Sequence, residues 1–169
     1  MSNIAKKIES KIFYENGLTL PYRRDKKYVF TNGCFDILHR GHIESLIFAK
    51  SQGDLLIVGL NSDKSVEQLK PGRPINGEYD RAFALASLEF VDRVVIFDKP
   101  EPTHLIFKVR PDYLVKGEEY RGKRIAGSEF ADKVIFFPMI EGKSTTGIIE
   151  KIIKTHEEDQ YSINDTFGI

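Results

Sequence analysis

The sequence lacks several features that are typical of particular classes of protein. Its 169 residues include one cysteine and no tryptophan, so no disulfide can form within the chain, and a reducing compartment is favoured. No apolar run has the length of a membrane span, and residues 1–11 lack the apolar centre of a signal peptide. Basic and acidic residues balance at 25 each, which argues against bulk attraction to nucleic acid or membranes. We therefore expect a cytoplasmic protein whose partners include neither nucleic acid nor membrane.

Residues 28–44 are the most informative stretch that is present. Their apolar start predicts a strand, a glycine-containing turn follows, and the later apolar positions have helical spacing. A strand-loop-helix unit of this kind directs free N–H groups and the positive end of the helix dipole towards a bound anion. His39 and His42 stand three residues apart at the predicted helix start, so both imidazoles can face that anion. Gly41 between them allows a close approach to the backbone.

Strands and helices alternate along the rest of the chain, with short connections between them. Apolar runs predict five strands, at residues 28–30, 55–60, 93–97, 113–115 and 134–137. This alternation is typical of an α/β protein. We predict a Rossmann-like, doubly wound, five-stranded parallel sheet in a three-layer αβα arrangement.

A single domain accounts for this pattern, with an extension at each end. Ile4, Ile8 and Ile12 are spaced as in an amphipathic helix over residues 3–14. The last residues are polar and weakly patterned, which predicts a mobile tail or an arm onto a neighbouring chain. The predicted parts are an N-terminal helical extension at residues 1–27, the core domain at 28–156 and a C-terminal tail at 157–169.

Polar segments follow the predicted strands at the edge of the sheet where ligands bind in such folds. These segments are residues 31–42, 61–63, 116–120 and 141–146. A loop rich in proline and glycine adds Lys70 and Arg73, for each of which a solvated surface charge is an equally good interpretation. Lys116 directly follows a buried strand, which favours a role in binding.

Two residues of the first segment leave alternatives open. Cys34 lies near a helix start, which lowers thiol pKa values, but a structural role is favoured because no base accompanies it. Asp36 orients a histidine, binds Mg²⁺ or simply forms the turn. No group of histidines and cysteines has the spacing of zinc ligands, so we predict no metal site built by the chain itself.

Two motifs resemble the signatures of the nucleotidylyltransferase superfamily, which includes the cytidylyltransferases. The first is the His-x-Gly-His of residues 39–42, and the second is the Glu-Gly-x-Ser-Thr-Thr of residues 141–146. The resemblance implies that both histidines bind a nucleoside triphosphate and stabilise the transition state, and that the second motif contacts the triphosphate. Arg81 matches an arginine of the family, although a solvated helix charge explains it as well. A plain helix cap is the alternative for the hydroxyls of the second motif.

Further segments narrow the resemblance to the adenylyltransferase half of ADP-heptose synthases. They include Leu-Lys-Pro-Gly-Arg-Pro-Ile-Asn at residues 69–76 and Pro-Asp-Tyr-Leu-Val-Lys-Gly-Glu-Glu-Tyr at residues 111–120. The resemblance implies transfer of AMP from ATP, bound with Mg²⁺, to D-glycero-β-D-manno-heptose 1-phosphate. The products are ADP-heptose, which serves lipopolysaccharide core biosynthesis, and pyrophosphate. It also implies a homodimer.

Met139 and Ile140 replace the Arg-Thr pair that glycerol-phosphate cytidylyltransferases carry, which weakens the case for CTP. The alternatives are a cytidylyltransferase acting on a small phosphorylated alcohol such as glycerol 3-phosphate, and a nucleotide-binding sensor without turnover. The predicted catalytic residues are His39, His42 and Lys70. The predicted nucleotide- and phosphate-binding residues are Asn32, Gly33, Cys34, Phe35, Asp36, Gly41, Arg81, Lys116, Gly117, Glu119, Ser144, Thr145 and Thr146. The predicted substrate-binding residues are Asn61, Asp63 and Arg73.

Overall fold

The computed structural model describes residues 2–21, 25–138 and 142–167, with residues 157–167 described as backbone. Its helices are α1 (Asn3–Glu9), α2 (Arg40–Ser51), α3 (Asp63–Leu69), α4 (Glu78–Ala86), α5 (Thr103–Val109) and α6 (Thr145–Phe167). Its strands are β1 (Ile12–Tyr14), β2 (Tyr28–Gly33), β3 (Leu55–Asn61), β4 (Arg93–Phe97), β5 (Tyr113–Gly117) and β6 (Lys133–Phe137).

The strands of this described part of the chain form one six-stranded parallel sheet in the order β1-β4-β3-β2-β5-β6. Every residue of β3 is buried, and so are the first three residues of β2. Such continuous burial is expected of strands that helices cover on both faces, and it explains why their sequences are uninterrupted apolar runs. The predicted α/β fold with a doubly wound parallel sheet is confirmed.

Two apolar clusters lie on opposite faces of the sheet. Val29 of β2 packs in one cluster with Leu46 of α2 and Leu85 of α4, whereas Phe30 packs in the other with Leu105 of α5. Neighbouring residues of a strand point to opposite faces, so a single strand contributes to both clusters. The arrangement has three layers, with helices on both sides of the sheet.

The predicted number of strands was wrong by one, and the error lies near the N-terminus. The helix predicted over residues 3–14 ends at Glu9, and Ile12–Tyr14 form strand β1, which pairs in parallel with β4. Ile8 and Ile12 pack against the same apolar cluster, although one lies in a helix and the other in a strand. Their spacing of four residues is also that of a continuous helix. Ile12–Tyr14 nevertheless pair with the open edge of β4, because β-branched and aromatic residues favour strands.

The C-terminal region also differs from the prediction. Helix α6 continues to Phe167, through most of the segment that was predicted to be a tail. Residues 168 and 169 lie outside the described residues. Nowhere in the described ranges is a helix both long and apolar enough to cross a membrane.

The topology creates a crevice at one edge of the sheet. Strand β2 pairs with β3 on one side and with β5 on the other, so the connections that leave these strands diverge at this point. In doubly wound sheets such a switch point opens a crevice outside the carboxyl ends of the strands, and ligands bind there. The loops that follow β2 and β5, and the start of α6, meet at this crevice.

Candidate active site

The crevice is a cleft of about 410 Å³. It brings together fourteen of the nineteen predicted site residues, from segments of the chain that are distant in sequence.

 These fourteen are Asn32, Gly33, Cys34, Phe35, His39, Gly41, His42, Lys70, Lys116, Gly117, Glu119, Ser144, Thr145 and Thr146.

His39 and His42 form a stacked pair at the start of α2. His39 is the N-cap of the helix, and its Nδ1 accepts a hydrogen bond from the His42 backbone N–H at 3.4 Å. The two rings lie 3.8 Å apart between centroids, with 21° between their planes. Because Nδ1 of His39 is an acceptor, the neutral ring carries its proton on Nε2, which remains available as a donor.

Burial keeps both imidazoles neutral near pH 7. Burial first, and then the neighbouring His39 and Lys70, lower the pKa of His42 to about 4. Burial and then Lys143 lower the pKa of His39. The Phe35 ring lies 5.2 Å from the His42 ring, and Nδ1 of His42 is buried without a hydrogen-bond partner among the described residues.

Three lysines give the cleft its positive charge. Lys70 and Lys143 lie near the histidine pair, since each lowers the pKa of one of its rings. Lys116 lies at the end of β5, where its Nζ donates to Asn32 Oδ1 at 3.2 Å and stands 4.4 Å from the centre of the Tyr120 ring. Burial lowers the pKa of Lys116. The carboxylate of Glu119 partly offsets this shift, so the ammonium has an acidic neighbour in the cleft as well as these neutral partners.

The start of α6 closes the cleft on another side. The Ser144 hydroxyl accepts a hydrogen bond from the Gly147 N–H at 3.1 Å, as a helix cap does. The Thr145 hydroxyl donates to the Asp36 carbonyl at 2.8 Å, which fixes this turn against the loop before α2. The free N–H groups of a helix start and the remaining hydroxyl of Thr146 suit a phosphate group.

Gly41 is required by the close packing of these segments. A Cβ on Gly41 would lie 3.0 Å from Cε1 of His39 and 3.2 Å from Cβ of Lys143. A larger residue would therefore push apart the histidine turn and the segment that leads into α6. The glycine was predicted for close approach to the backbone, and the approaching group in the structure is the protein itself.

Five predicted site residues do not line the cleft. Arg81 was predicted to bind phosphate, but it is 2% exposed. Its guanidinium donates to the carbonyl oxygens of Cys34 at 2.5 Å, Asn61 at 3.0 Å and Asn76 at 2.9 Å. It also donates to Asp63 Oδ1 at 2.7 Å. These bonds tie the loops after β2 and β3 to the start of α4. These contacts indicate that Arg81 holds the loops together.

The other four residues have similar internal partners. Asp63, predicted to bind substrate, pairs with Arg81, and Asn61 donates to Ser65 Oγ at 2.8 Å. Arg73, also predicted to bind substrate, donates through Nε to Asp36 Oδ2 at 2.6 Å. Asp36, predicted to bind nucleotide, is 1% exposed and accepts only from protein groups among the described residues.

Six residues of the cleft were not predicted: Thr31, Ser45, Val115, Tyr120, Phe137 and Lys143. Ser45 follows His42 by three residues, so it shares the same face of α2, and this spacing could have identified it. Tyr120 and Lys143 lie inside the motifs that were recognised. Met139 and Ile140, on which the preference against CTP rested, and Glu141 of the second motif lie outside the described residues.

The described residues hold no group of three or more histidine, cysteine, aspartate or glutamate side chains arranged to bind a metal ion. The chemistry of the cleft is instead that of an anion site. Neutral imidazole N–H groups, lysine ammonium groups and two helix starts all converge on it. Such an arrangement can bind a chain of phosphates and stabilise negative charge that develops on one of them.

Comparisons with known proteins agree with this chemistry. The model of the cytidylyltransferase-like family matches residues 30–161. The bifunctional protein HldE of Campylobacter concisus is 54% identical over 142 residues, which are 83% of this chain and 30% of that protein. HldE of Helicobacter pylori is 53% identical over 137 residues, which are 80% of this chain and 30% of that protein. The chain thus spans less than a third of the length of these two relatives.

A solved structure has the same fold. It is the crystal structure of a lipopolysaccharide core biosynthesis protein from Thermoplasma volcanium, with a TM-score of 0.56 and 26% sequence identity. The match covers 70% of this chain and 99% of that one. The nucleotidyltransferase character that the two motifs predicted is confirmed, and the chain belongs to the cytidylyltransferase-like family.

Proposed function

We propose that this protein transfers AMP from ATP to D-glycero-β-D-manno-heptose 1-phosphate, which yields ADP-heptose and pyrophosphate for a surface glycan such as the lipopolysaccharide core. One observation carries the proposal: a stacked pair of neutral histidines shares a cleft with three lysines and the hydroxyl-rich start of α6. The similarity to HldE proteins and the motif resemblance to ADP-heptose synthases support the choice of substrates.

The reaction needs positioning and charge stabilisation more than covalent chemistry. An oxygen of the sugar phosphate attacks the α-phosphorus of ATP, a new P–O bond forms, and the bond to the bridging oxygen breaks as pyrophosphate leaves. His39 and His42 donate N–H groups to the oxygens on which charge develops. A well-placed donor of this kind contributes about 3 kcal/mol to the stabilisation of a transition state.

The lysines and the two helix starts bind the phosphates. Lys70 and Lys143 lie beside the histidine pair, where the leaving phosphates carry the most charge. Residues 144–146 offer hydroxyl and N–H donors to the same chain of phosphates. We propose that Mg²⁺ enters as the MgATP complex, so the ion is part of the substrate.

We further propose that the protein is a cytoplasmic homodimer, as the resemblance implies. Apolar side chains that remain exposed, among them Ile152 and Ile153 of α6, offer surface for a second copy. Light scattering coupled to size-exclusion chromatography tests the oligomer. A dimer has twice the 19.3 kDa mass of one chain. A mass of 19.3 kDa at micromolar concentration would contradict it.

The experiment that tests the proposed function is pyrophosphate release with Mg²⁺. ATP, CTP and GTP are each combined with heptose 1-phosphate, glycerol 3-phosphate and phosphoethanolamine. We expect release from ATP with heptose 1-phosphate alone. Release from CTP with glycerol 3-phosphate would replace the proposal by the cytidylyltransferase alternative. Binding of ATP without release from any pair would favour a sensor.

A further inference from the structure

Asp36 lies in the middle of a strained turn between β2 and α2. The residues on both sides of it have positive φ angles, 46° for Phe35 and 52° for Ile37. Neither is glycine, and a β-branched residue such as isoleucine adopts this conformation only where the surroundings impose it. The next residues of the turn lead to His39, so the conformation of residues 35–37 determines where the histidine pair lies.

The carboxylate of Asp36 supplies contacts that can impose this conformation. It accepts hydrogen bonds from Arg73 Nε at 2.6 Å, the Ile75 N–H at 2.9 Å and the Asn76 N–H at 3.0 Å. Its side chain is fully buried, and Arg73 neutralises its charge. These donors hold the pKa of Asp36 below its usual value although burial alone would raise it. A carboxylate occupied in this way is a poor ligand for a metal ion.

The backbone of the same residue makes a further connection. The Asp36 carbonyl accepts the hydrogen bond from the Thr145 hydroxyl at the start of α6. Asp36 therefore touches the loop that follows Lys70 and also the turn that carries the hydroxyls of the cleft. The histidine turn, the loop of residues 70–77 and the start of α6 therefore meet at this one residue.

We infer that Asp36 is a positioning residue, which holds the loop of residues 70–77 and the start of α6 against the histidine turn without contacting nucleotide or metal. The inference rests on the proposed function for the reaction that is measured. Its structural part does not depend on the identity of the sugar. A displacement of about 1 Å in a site of this kind lowers turnover by about 100-fold.

The main test is Asp36→Asn, which keeps the size of the side chain. One carboxylate oxygen becomes an NH₂ group, which cannot accept the hydrogen bonds that Arg73, Ile75 and Asn76 donate. We expect kcat to fall by about 100-fold, as misplacement of the reacting groups predicts. The Mg²⁺ concentration that gives half-maximal activity stays unchanged, and amide hydrogen exchange rises in residues 70–77. A higher Mg²⁺ requirement, with activity restored by excess Mg²⁺ or by Mn²⁺, would make Asp36 a metal ligand. An unchanged kcat would also overturn the inference.

Asp112→Asn is the matched control. Asp112 is also a buried carboxylate, which accepts from the Tyr28 N–H at 2.8 Å and Lys27 Nζ at 2.9 Å, at the amino ends of β2 and β5. We expect a loss of stability in Asp112→Asn with kcat within about twofold of the wild type, since local misplacement there does not reach the reacting groups. An equal fall in kcat in both variants would reduce the role of Asp36 to general stability and overturn the inference.

Two further variants keep the test decisive if Asp36→Asn folds poorly. Arg73→Met removes one of the three donors, and we expect a fall in kcat of about tenfold, with hydrogen exchange again raised in residues 70–77. Ile37→Gly removes the penalty of positive φ, so adding it to Asp36→Asn restores kcat several-fold. An increase in the KM for sugar phosphate alone in Arg73→Met, or no recovery with Ile37→Gly, would contradict the inference.

Hydrogen exchange and ATP binding separate this inference from the proposed function. If wild-type protein releases no pyrophosphate with heptose 1-phosphate, the proposed function fails. The exchange of residues 70–77 in Asp36→Asn still tests the positioning role, because it needs no acceptor. Exchange that rises uniformly over the sheet, or not at all, would overturn the inference under either result.

Discussion

Burial decides what each histidine of the cleft can do. In water an imidazole is partly charged near neutral pH, but the surroundings of His42 lower its pKa to about 4. The ring is therefore a neutral donor before substrate binds. In the proposed reaction the hydrogen bond from such a donor strengthens as charge develops on the reacting phosphate.

Removal of His42 tests this contribution directly. We expect His42→Ala to lower kcat by about 100-fold or more, as loss of one donor to a developing charge does. Steady-state pyrophosphate release with saturating substrates measures the change. Circular dichroism confirms that the variant is folded. Near-normal turnover in a folded His42→Ala protein would remove the histidine from the mechanism.

The lowered pKa of His42 also predicts how stability depends on pH. Between pH 6.5 and about 4 the unfolded chain binds a proton on this ring that the folded protein does not, so the free energy of unfolding falls as the pH falls through this range. The full difference amounts to about 3 kcal/mol. Urea unfolding of wild type and His42→Asn at several pH values measures it.

The comparison with His42→Asn isolates one ring from the other groups that titrate. His39 has a lowered pKa as well and titrates in both proteins. We expect the wild type to lose more stability than the variant between pH 6.5 and 4. Parallel curves for the two proteins would show that the folded and unfolded states bind protons equally at this position.

At the scale of elements, the cleft depends on the starts of two helices. Helix α2 begins at the histidine pair, and α6 begins at residues 144–146. Each start leaves N–H groups without partners inside the helix, and these suit an anion. The hydroxyl of Thr145 joins the two starts through the Asp36 carbonyl.

Replacement of the three hydroxyls at the start of α6 tests its part in binding. We expect the triple change Ser144→Ala, Thr145→Ala and Thr146→Ala to raise the KM for ATP about tenfold or more, since it removes the Ser144 and Thr146 hydroxyls as donors to phosphate and the Thr145 hydrogen bond that fixes the turn. Initial rates at varied ATP measure this. Ser144→Ala alone removes the cap and serves as control, with a stability loss of about 1 kcal/mol. An unchanged KM in the triple variant would show that these residues only cap the helix and do not bind ATP.

The strands were predictable from sequence where their burial is continuous. Strand β3 and the first three residues of β2 are wholly buried, as expected of a parallel sheet covered on both faces. The shorter apolar runs of β4, β5 and β6 also lie between polar loops. Strand β1 was not predictable, because Ile4, Ile8 and Ile12 have helical spacing and only the open edge of β4 makes Ile12 part of a strand. The spacing of apolar residues in one segment does not show whether a strand elsewhere in the chain has an unpaired edge.

The site was predictable where a motif places groups on one loop. The histidines and residues 144–146 line the cleft as expected. Arg81 and Asp36 are also polar residues near the ends of strands, but their partners are carbonyl and amide groups of other loops. Sequence shows that a charged side chain is present, and it does not show which backbone atom that side chain will meet.

For the whole molecule, the N-terminal segment completes the sheet at the edge farthest from β5 and β6. Strand β1 pairs with β4 alone, and Lys11 Nζ donates to the Leu88 carbonyl at 3.2 Å. The cleft lies at the ends of β2 and β5, so this segment supports the core without reaching the reacting groups. Its contribution should appear in stability and not in turnover.

Ile12→Ala tests this separation of stability from activity. Ile12 is partly buried and packs against the apolar cluster that includes residues of β3 and α4, so we expect a loss of about 2 kcal/mol in the free energy of unfolding. Ile4→Ala is the matched control, because Ile4 is 72% exposed and its truncation changes stability by less than about 0.5 kcal/mol. Urea unfolding measures both, and kcat stays within about twofold of the wild type because a stable folded core still positions the cleft. Equal stability of the two variants would show that β1 adds nothing to the core, and a large fall in kcat for Ile12→Ala would show that the N-terminal segment acts on the cleft.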